Sequence, residues 1–117
     1  MVNVLPRYNE AVIPIKKFVE YALNPEKDPN KALAFFLALG YNISSADKLV
    51  QNIRDNIANF ECREKNDLGH GAIYEVCMVL LGENGKTANV LTAWIDDKAT
   101  GEMRLINAYV KKRKGGK

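Results

Sequence analysis

The run Ile73-Tyr74-Glu75-Val76-Cys77-Met78-Val79-Leu80-Leu81-Gly82-Glu83-Asn84-Gly85-Lys86-Thr87-Ala88-Asn89-Val90-Leu91-Thr92-Ala93-Trp94-Ile95 decides the fold. It reads as two long β-strands, Ile73 to Leu81 and Thr87 to Ile95, around the turn Gly82-Glu83-Asn84-Gly85. Asn-Gly is a strong short-range hairpin signal, because both residues tolerate the positive φ of a tight turn. Downstream, Asp96 to Gly101 reads as a loop and Met103 to Val110 as a further strand. Upstream, Cys62-Arg63-Glu64-Lys65 reads as a short, highly charged strand of the kind that protects a sheet edge. Short connections between consecutive strands imply an antiparallel meander of about four strands.

Before Phe60 the apolar period is helical. Pro14 suits a first helical position, and Ile15, Phe18, Val19, Ala22 and Leu23 follow as one stripe that Asn24-Pro25 ends. Asp28 is placed to cap a second helix with Pro29 in its first turn. This helix, Asn30 to Leu39, is apolar almost all round, which predicts a place in the middle of the core. Gly40 supplies a left-handed stop. Ser44 with Asp47 resembles a capping box for a third helix. Its stripe is Leu49, Ile53, Ile57 and Phe60, with Gln51, Arg54, Asp55 and Asn59 facing away. The expected fold class is α+β: three N-terminal helices packed on one face of a C-terminal antiparallel sheet.

At 117 residues the chain suits one domain, expected over residues 1–110 and followed by a basic, disordered tail at 111–117. Removing Lys111, Lys112, Arg113, Lys114 and Lys117 from the 17 basic residues leaves 12 against 14 acidic ones, a body charge of −2. Attraction to phosphate is therefore focused at one end, and a solvated tail is preferred to a nucleic-acid clamp. No apolar run reaches the ~20 residues of a membrane helix, and the N-terminus lacks a signal-peptide layout, so a cytoplasmic protein without membrane contact is expected. Two cysteines are too few and too far apart for a zinc knuckle or a redox pair. Cys77 reads as a buried small hydrophobe and Cys62 as half exposed.

Candidate chemistry is sparse. His70, the one histidine, stands between Gly69 and Gly71 where the helical half meets the strands. A glycine-flanked imidazole can serve as general acid or base, or can be a surface-loop residue without a partner. Arg104, on the last strand, can hold a phosphate or pair with Glu75 across the sheet, and the pairing is preferred. Alternation puts Arg104, Ile106, Ala108 and Val110 on one face and Met103, Leu105, Asn107 and Tyr109 on the other. Trp94 offers a stacking platform for a base or, preferably, a core anchor. Asp96-Asp97 reads as a turn rather than a metal site, and Gly82-Glu83-Asn84-Gly85 lacks the lysine and hydroxyl residue of a phosphate loop. No cofactor and no metal are expected.

Several stretches carry a family resemblance. They are Asn9 to Lys17, Tyr21-Ala22-Leu23, Lys31 to Tyr41, Gly71 to Val76, Ala93-Trp94 and Arg104 to Tyr109. Together they resemble an uncharacterised bacterial domain family, a domain of unknown function that occurs alone and as the C-terminal module of toxin-like or phage-associated proteins. The resemblance covers roughly Arg7 to Tyr109. The order of helices followed by an antiparallel sheet is similar to the barnase–EndoU–colicin–RelE group of small ribonuclease toxins. That similarity implies metal-independent RNA cleavage by general acid–base catalysis. His70 would transfer the proton, Arg104 or Lys65 would stabilise the phosphate, and Trp94 or Tyr109, with Asn107 beside them, would contact the substrate. The alternative is a non-catalytic binding or adaptor module, or an inactive family member, acting through a sheet edge or groove on a protein partner or as a homodimer.

Overall fold

A computed structural model describes residues 3–67 and 69–111. The sheet has the expected strands, β1 (Cys62–Glu64), β2 (Gly71–Leu81), β3 (Thr87–Asp97) and β4 (Met103–Val110). They pair antiparallel in the order β1-β2-β3-β4, a meander with the charged β1 at an edge. The hairpin closes at Gly82-Glu83-Asn84-Gly85. Gly85 has φ 81°, its N–H reaches the Gly82 carbonyl at 3.2 Å, and the Lys86 N–H donates to Asn84 Oδ1 at 3.0 Å.

The helical part differs from expectation. Two α-helices form, α1 (Pro29–Leu39) and α2 (Ala46–Asn56), followed by a 3-10 turn at Ile57–Asn59, so the helices occupy the middle of the chain. The stripe beginning at Pro14 yields one π-helical turn, Phe18–Ala22, in which the Leu23 N–H reaches back five residues to the Phe18 carbonyl at 2.8 Å. The wider turn brings Phe18, Ala22 and Leu23 together in the core and leaves Ile15 45% exposed. Prolines at positions 14 and 25 leave the segment little room to become a longer helix.

Helix α1 begins and ends as predicted. Asp28 Oδ1 accepts from the Lys31 N–H at 3.1 Å, Pro29 stands at its start, and Gly40 ends it at φ 80°. It is not buried all round. Ala32, Phe35 and Leu39 enter the core, whereas Leu33, Phe36 and Leu37 are 54, 51 and 61% exposed. The chain offers only one sheet face for α1 to cover, so half of its apolar circumference has nothing to pack against. The capping box is Asn42 with Ser45, two residues earlier than Ser44 with Asp47, and it opens the 3-10 turn Ile43–Ser45 that leads into α2: Asn42 Oδ1 accepts from the Ser44 N–H, and Ser45 Oγ accepts from the Asn42 N–H. Arg54 does not face away either; its Nη2 donates to the Ala11 carbonyl at 2.9 Å.

Helices, π-turn and N-terminal segment all pack on one sheet face. Phe18, Phe35, Leu39, Leu49, Ile53 and Ile57 meet Val76, Met78, Leu80, Val90, Trp94 and Leu105 in one cluster. The N-terminal segment runs beneath the sheet from edge to edge. Its Asn3 carbonyl accepts from the Cys62 N–H at 2.7 Å, and Val12 bonds to β4 through Met103 O at 2.8 Å and the Leu105 N–H at 2.9 Å. The cysteines exchange the expected places: Cys62 is buried and Cys77 exposed, because Val76 and Met78 turn inward and the residue between them must turn out. Residues 112–117 of the basic tail lie outside the described residues.

Candidate active site on the open sheet face

The sheet face away from the helices meets solvent, and the strand register sorts its side chains into rows. Arg63, Glu75, Ala93 and Asn107 form one row, Cys77, Leu91 and Tyr109 the next, and Ile73, Ile95 and Arg104 a third. A row of four strands spans about 14 Å. The β4 alternation expected from sequence is broken. Ala93 pairs with Asn107 but Trp94 with Leu105, so Ile106 is an extra residue, a β-bulge. Before the bulge Met103 and Leu105 turn inward; after it Ala108 does. Arg104 therefore shares the open face with Tyr109 instead of standing opposite it.

At the centre of this face is Glu75, the lone charged residue of β2. Its side chain is 34% exposed, and Lys65 Nζ lies 3.9 Å from Oε1. Arg63 is its register partner on β1. Arg63, Glu75, Cys77, Leu91 and Lys111 line a hollow of about 430 Å³. The anticipated Arg104–Glu75 pair is not made, because β3 lies between their strands. Arg104 bonds instead to Asp97 Oδ2 and stands 3.8 Å from Glu102. Asp97 also accepts from the Ala99 N–H at 2.9 Å, and this bond, followed by the Arg104 guanidinium, holds its carboxyl below the usual carboxylate range.

His70 sits at the end of the face where Gly71 pairs with Asp97. Its loop is organised by Asp67, whose Oδ1 accepts from the Gly69 N–H at 2.8 Å and the Gly71 N–H at 3.3 Å. Lys98 Nζ approaches the other Asp67 oxygen at 3.5 Å, and the Lys98 N–H donates to the His70 carbonyl at 3.1 Å. The Gly69 amide is the main cause of a lowered Asp67 pKa. The imidazole itself is exposed and makes no hydrogen bond among the described residues.

The remaining expected residues scatter. Trp94 is 0% exposed; its Nε1–H donates to Thr92 Oγ1 at 2.8 Å, and the Thr92 hydroxyl donates to the Val76 carbonyl at 2.8 Å. It offers no ring to the open face. Tyr109 does, at 36% exposure. Asn107 is turned over the edge of β4, where its Oδ1 accepts from the Ala108 N–H and from Lys31 Nζ, both at 2.9 Å. Sequence reasoning missed Arg63 and treated Glu75 only as a partner for Arg104. The signal for Glu75 was present: one carboxylate in an otherwise apolar strand, at an odd position like the outward Cys77. Cys62 is no rival nucleophile, since burial, then Glu64 and Glu61, push its thiol up to about 11.

Among the described residues no group of three or more His, Cys, Asp or Glu is placed to hold a metal, and no helix is long and apolar enough to cross a membrane. No curated protein matches the chain in sequence. In structure it is similar to a chain of a contact-dependent growth inhibition toxin–immunity protein complex from Klebsiella pneumoniae 342. The TM-score is 0.63 and the identity 18%, over 91% of this chain and 97% of that one, a likeness of fold. The sequence profile of a domain of unknown function (DUF6883) matches residues 4–112, well over half of the chain, and the chain therefore belongs to that family.

Proposed function

We propose that this domain is a toxin-like ribonuclease whose active site is the open sheet face. The observation that carries the reading is Glu75, a carboxylate at the centre of that face with Lys65 3.9 Å away and Arg63 as its register partner. A carboxylate next to cations on and just after the neighbouring strand is suited to take a proton while the cations stabilise a phosphate. Glu75 removes the proton of an RNA 2′-hydroxyl, the 2′-oxygen forms a bond to phosphorus, and the bond from phosphorus to the 5′-oxygen breaks. His70 supplies the proton to that departing oxygen from its glycine-flanked loop. Lys65, with Arg63, stabilises the phosphorane charge. Arg104, once exchanged from Asp97, holds a neighbouring phosphate, and Tyr109 stacks on a base. The fold shared with a chain from a growth-inhibition toxin–immunity complex supports a place in a system of that kind.

Induced expression of the chain is expected to arrest bacterial growth with cleaved RNA in the extract. Glu75→Gln and His70→Ala should each lower cleavage by about 10²–10⁴-fold, the usual contribution of an acid or base. Harmless wild-type expression together with intact RNA after incubation with the purified domain would sink the reading.

The exposed Leu33, Phe36 and Leu37 favour a second reading, a non-catalytic module that binds a protein through α1. Under it, wild type and Glu75→Gln behave identically in both assays.

A further inference from the structure

A second cavity, of about 320 Å³, opens on the other side of β4. Lys17, Lys27 and Lys31 line it together with Tyr21, Ile106 and Asn107. The three lysines come from separate places: just before the π-turn, the connection before α1, and the first turn of α1. Lys31 is held by two contacts, 2.9 Å to Asn107 Oδ1 and a long 4.0 Å approach to Asp28. Its ammonium has three donors, so it keeps capacity for a ligand. Lys17 and Lys27 have no carboxylate within 4.0 Å among the described residues. A cavity with three cations and one carboxylate, Asp28, already engaged in capping α1, carries an uncompensated positive charge.

Two irregularities of the backbone meet here. The π-turn brings up Phe18, Tyr21 and Ala22, and the bulge at Ile106 swings Asn107 over the strand edge. Asn107 lies on the rim shared by this cavity and the row of Arg63 and Glu75. A polyanion bound across the open face reaches the lysines by passing over one strand edge.

We infer that Lys17, Lys27 and Lys31 form a second phosphate-binding subsite, which grips the RNA backbone at a distance from the bond being cleaved. The inference rests on the ribonuclease reading for its ligand. A backbone phosphate enters the cavity and bonds to Lys31 and Lys17, Lys27 closes from the connection, and Tyr21 at the mouth packs against the adjoining sugar or base. A remote grip of this kind acts on substrate binding and leaves the chemical step alone.

The test is binding of a labelled single-stranded RNA to the Glu75→Gln protein, with and without Lys17→Gln and Lys27→Gln together, across a salt series. Loss of two phosphate contacts is expected to weaken binding for every RNA sequence and to reduce the slope of log affinity against log salt by about 1.4. In the active protein the same pair should raise KM with kcat unchanged. Lys16→Gln, one position away and exposed, controls for general loss of charge, and a thermal melt controls for folding. Unchanged affinity and slope in the double variant overturn the subsite even where wild type cleaves RNA. Displacement of the RNA by sub-millimolar inorganic phosphate or AMP also overturns it, by showing a site for a small free phosphate. If the wild type leaves RNA intact while the double variant still loses affinity and slope, the subsite stands and the nuclease reading falls.

Discussion

Single side chains on this sheet take their roles from which face the register gives them. Cys77 turns outward because Val76 and Met78 turn in, and Glu75 turns outward with it. Trp94, by the same parity, has its indole N–H satisfied inside the core by Thr92, whose hydroxyl is in turn tied to Val76. Among the described residues no buried polar side-chain atom is left without a partner. The His70 loop depends on a charge rather than on packing. Asp67 is exposed, and its carboxylate holds the Gly69 and Gly71 amides more strongly when ionised. Its folded pKa lies below the ordinary value, so the contribution is complete above the ordinary carboxylate pKa near ~4 and is lost as pH falls through the lowered one. An NMR titration should show the Gly69 amide shifting with a midpoint below ~4. The His70 loop should loosen in step, and Asp67→Ala should loosen it at neutral pH. A midpoint at or above the ordinary value would contradict this account.

Elements were legible to the extent that their signals were local. The Asp28 cap, Pro29, the Gly40 stop, the Asn-Gly turn and the charged edge strand each work through neighbours within about four residues, and each appears where the sequence put it. The first helix and the parity of β4 were misread because longer-range packing decides them. A π-turn and a β-bulge each add one residue to a regular repeat, and nothing in the apolar pattern marks the addition. Close approaches are equally silent in sequence. A Cβ on Gly71, at φ 140°, would stand 1.9 Å from the Asp96 carbonyl oxygen, and one on Gly82 would stand 2.3 Å from the Leu39 carbonyl. Gly71→Ala is expected to destabilise the protein by more than the ~1 kcal/mol of an ordinary glycine substitution, because strand backbone must move. Chemical denaturation measures it; a loss within ~0.5 kcal/mol would show that β2 and β3 part there without cost.

At the scale of the molecule, four strands have one covered face, and everything else competes for it. The N-terminal strap, the π-turn and both helices fill that face. The strap also bonds to β1 through Asn3 and to β4 through Val12. Farther along β4, the Asn107 side chain takes the Ala108 N–H. The edge anticipated for a homodimer is thereby occupied at these positions. What remains apolar and open among the described residues includes the far side of α1 and, on the open face of β2, Val79 and Leu81. Replacing Leu33, Phe36 and Leu37 together by polar helix formers should leave the folding free energy nearly unchanged, since each side chain is already half in water. It should also remove any concentration-dependent association seen by sedimentation. Loss of several kcal/mol in the triple variant would mean that the face is packed in solution.

The sequence by itself determined the strand meander, the helix that Asp28 caps and Gly40 ends, the charged edge, and the family. These follow from periodicity, turn chemistry and capping, all of which act over a few residues. Only the tertiary structure decided which residues share the open face. It moved Arg104 away from Glu75 and onto Asp97, set Glu75 beside Lys65 with Arg63 as its partner on β1, and gathered Lys17, Lys27 and Lys31 around one cavity. These groupings join residues from different strands and turns, and one extra residue in β4 changes the side on which its side chains fall. A side chain's face depends on the summed parity of every pairing before it, and that sum is set only when the sheet closes on its core.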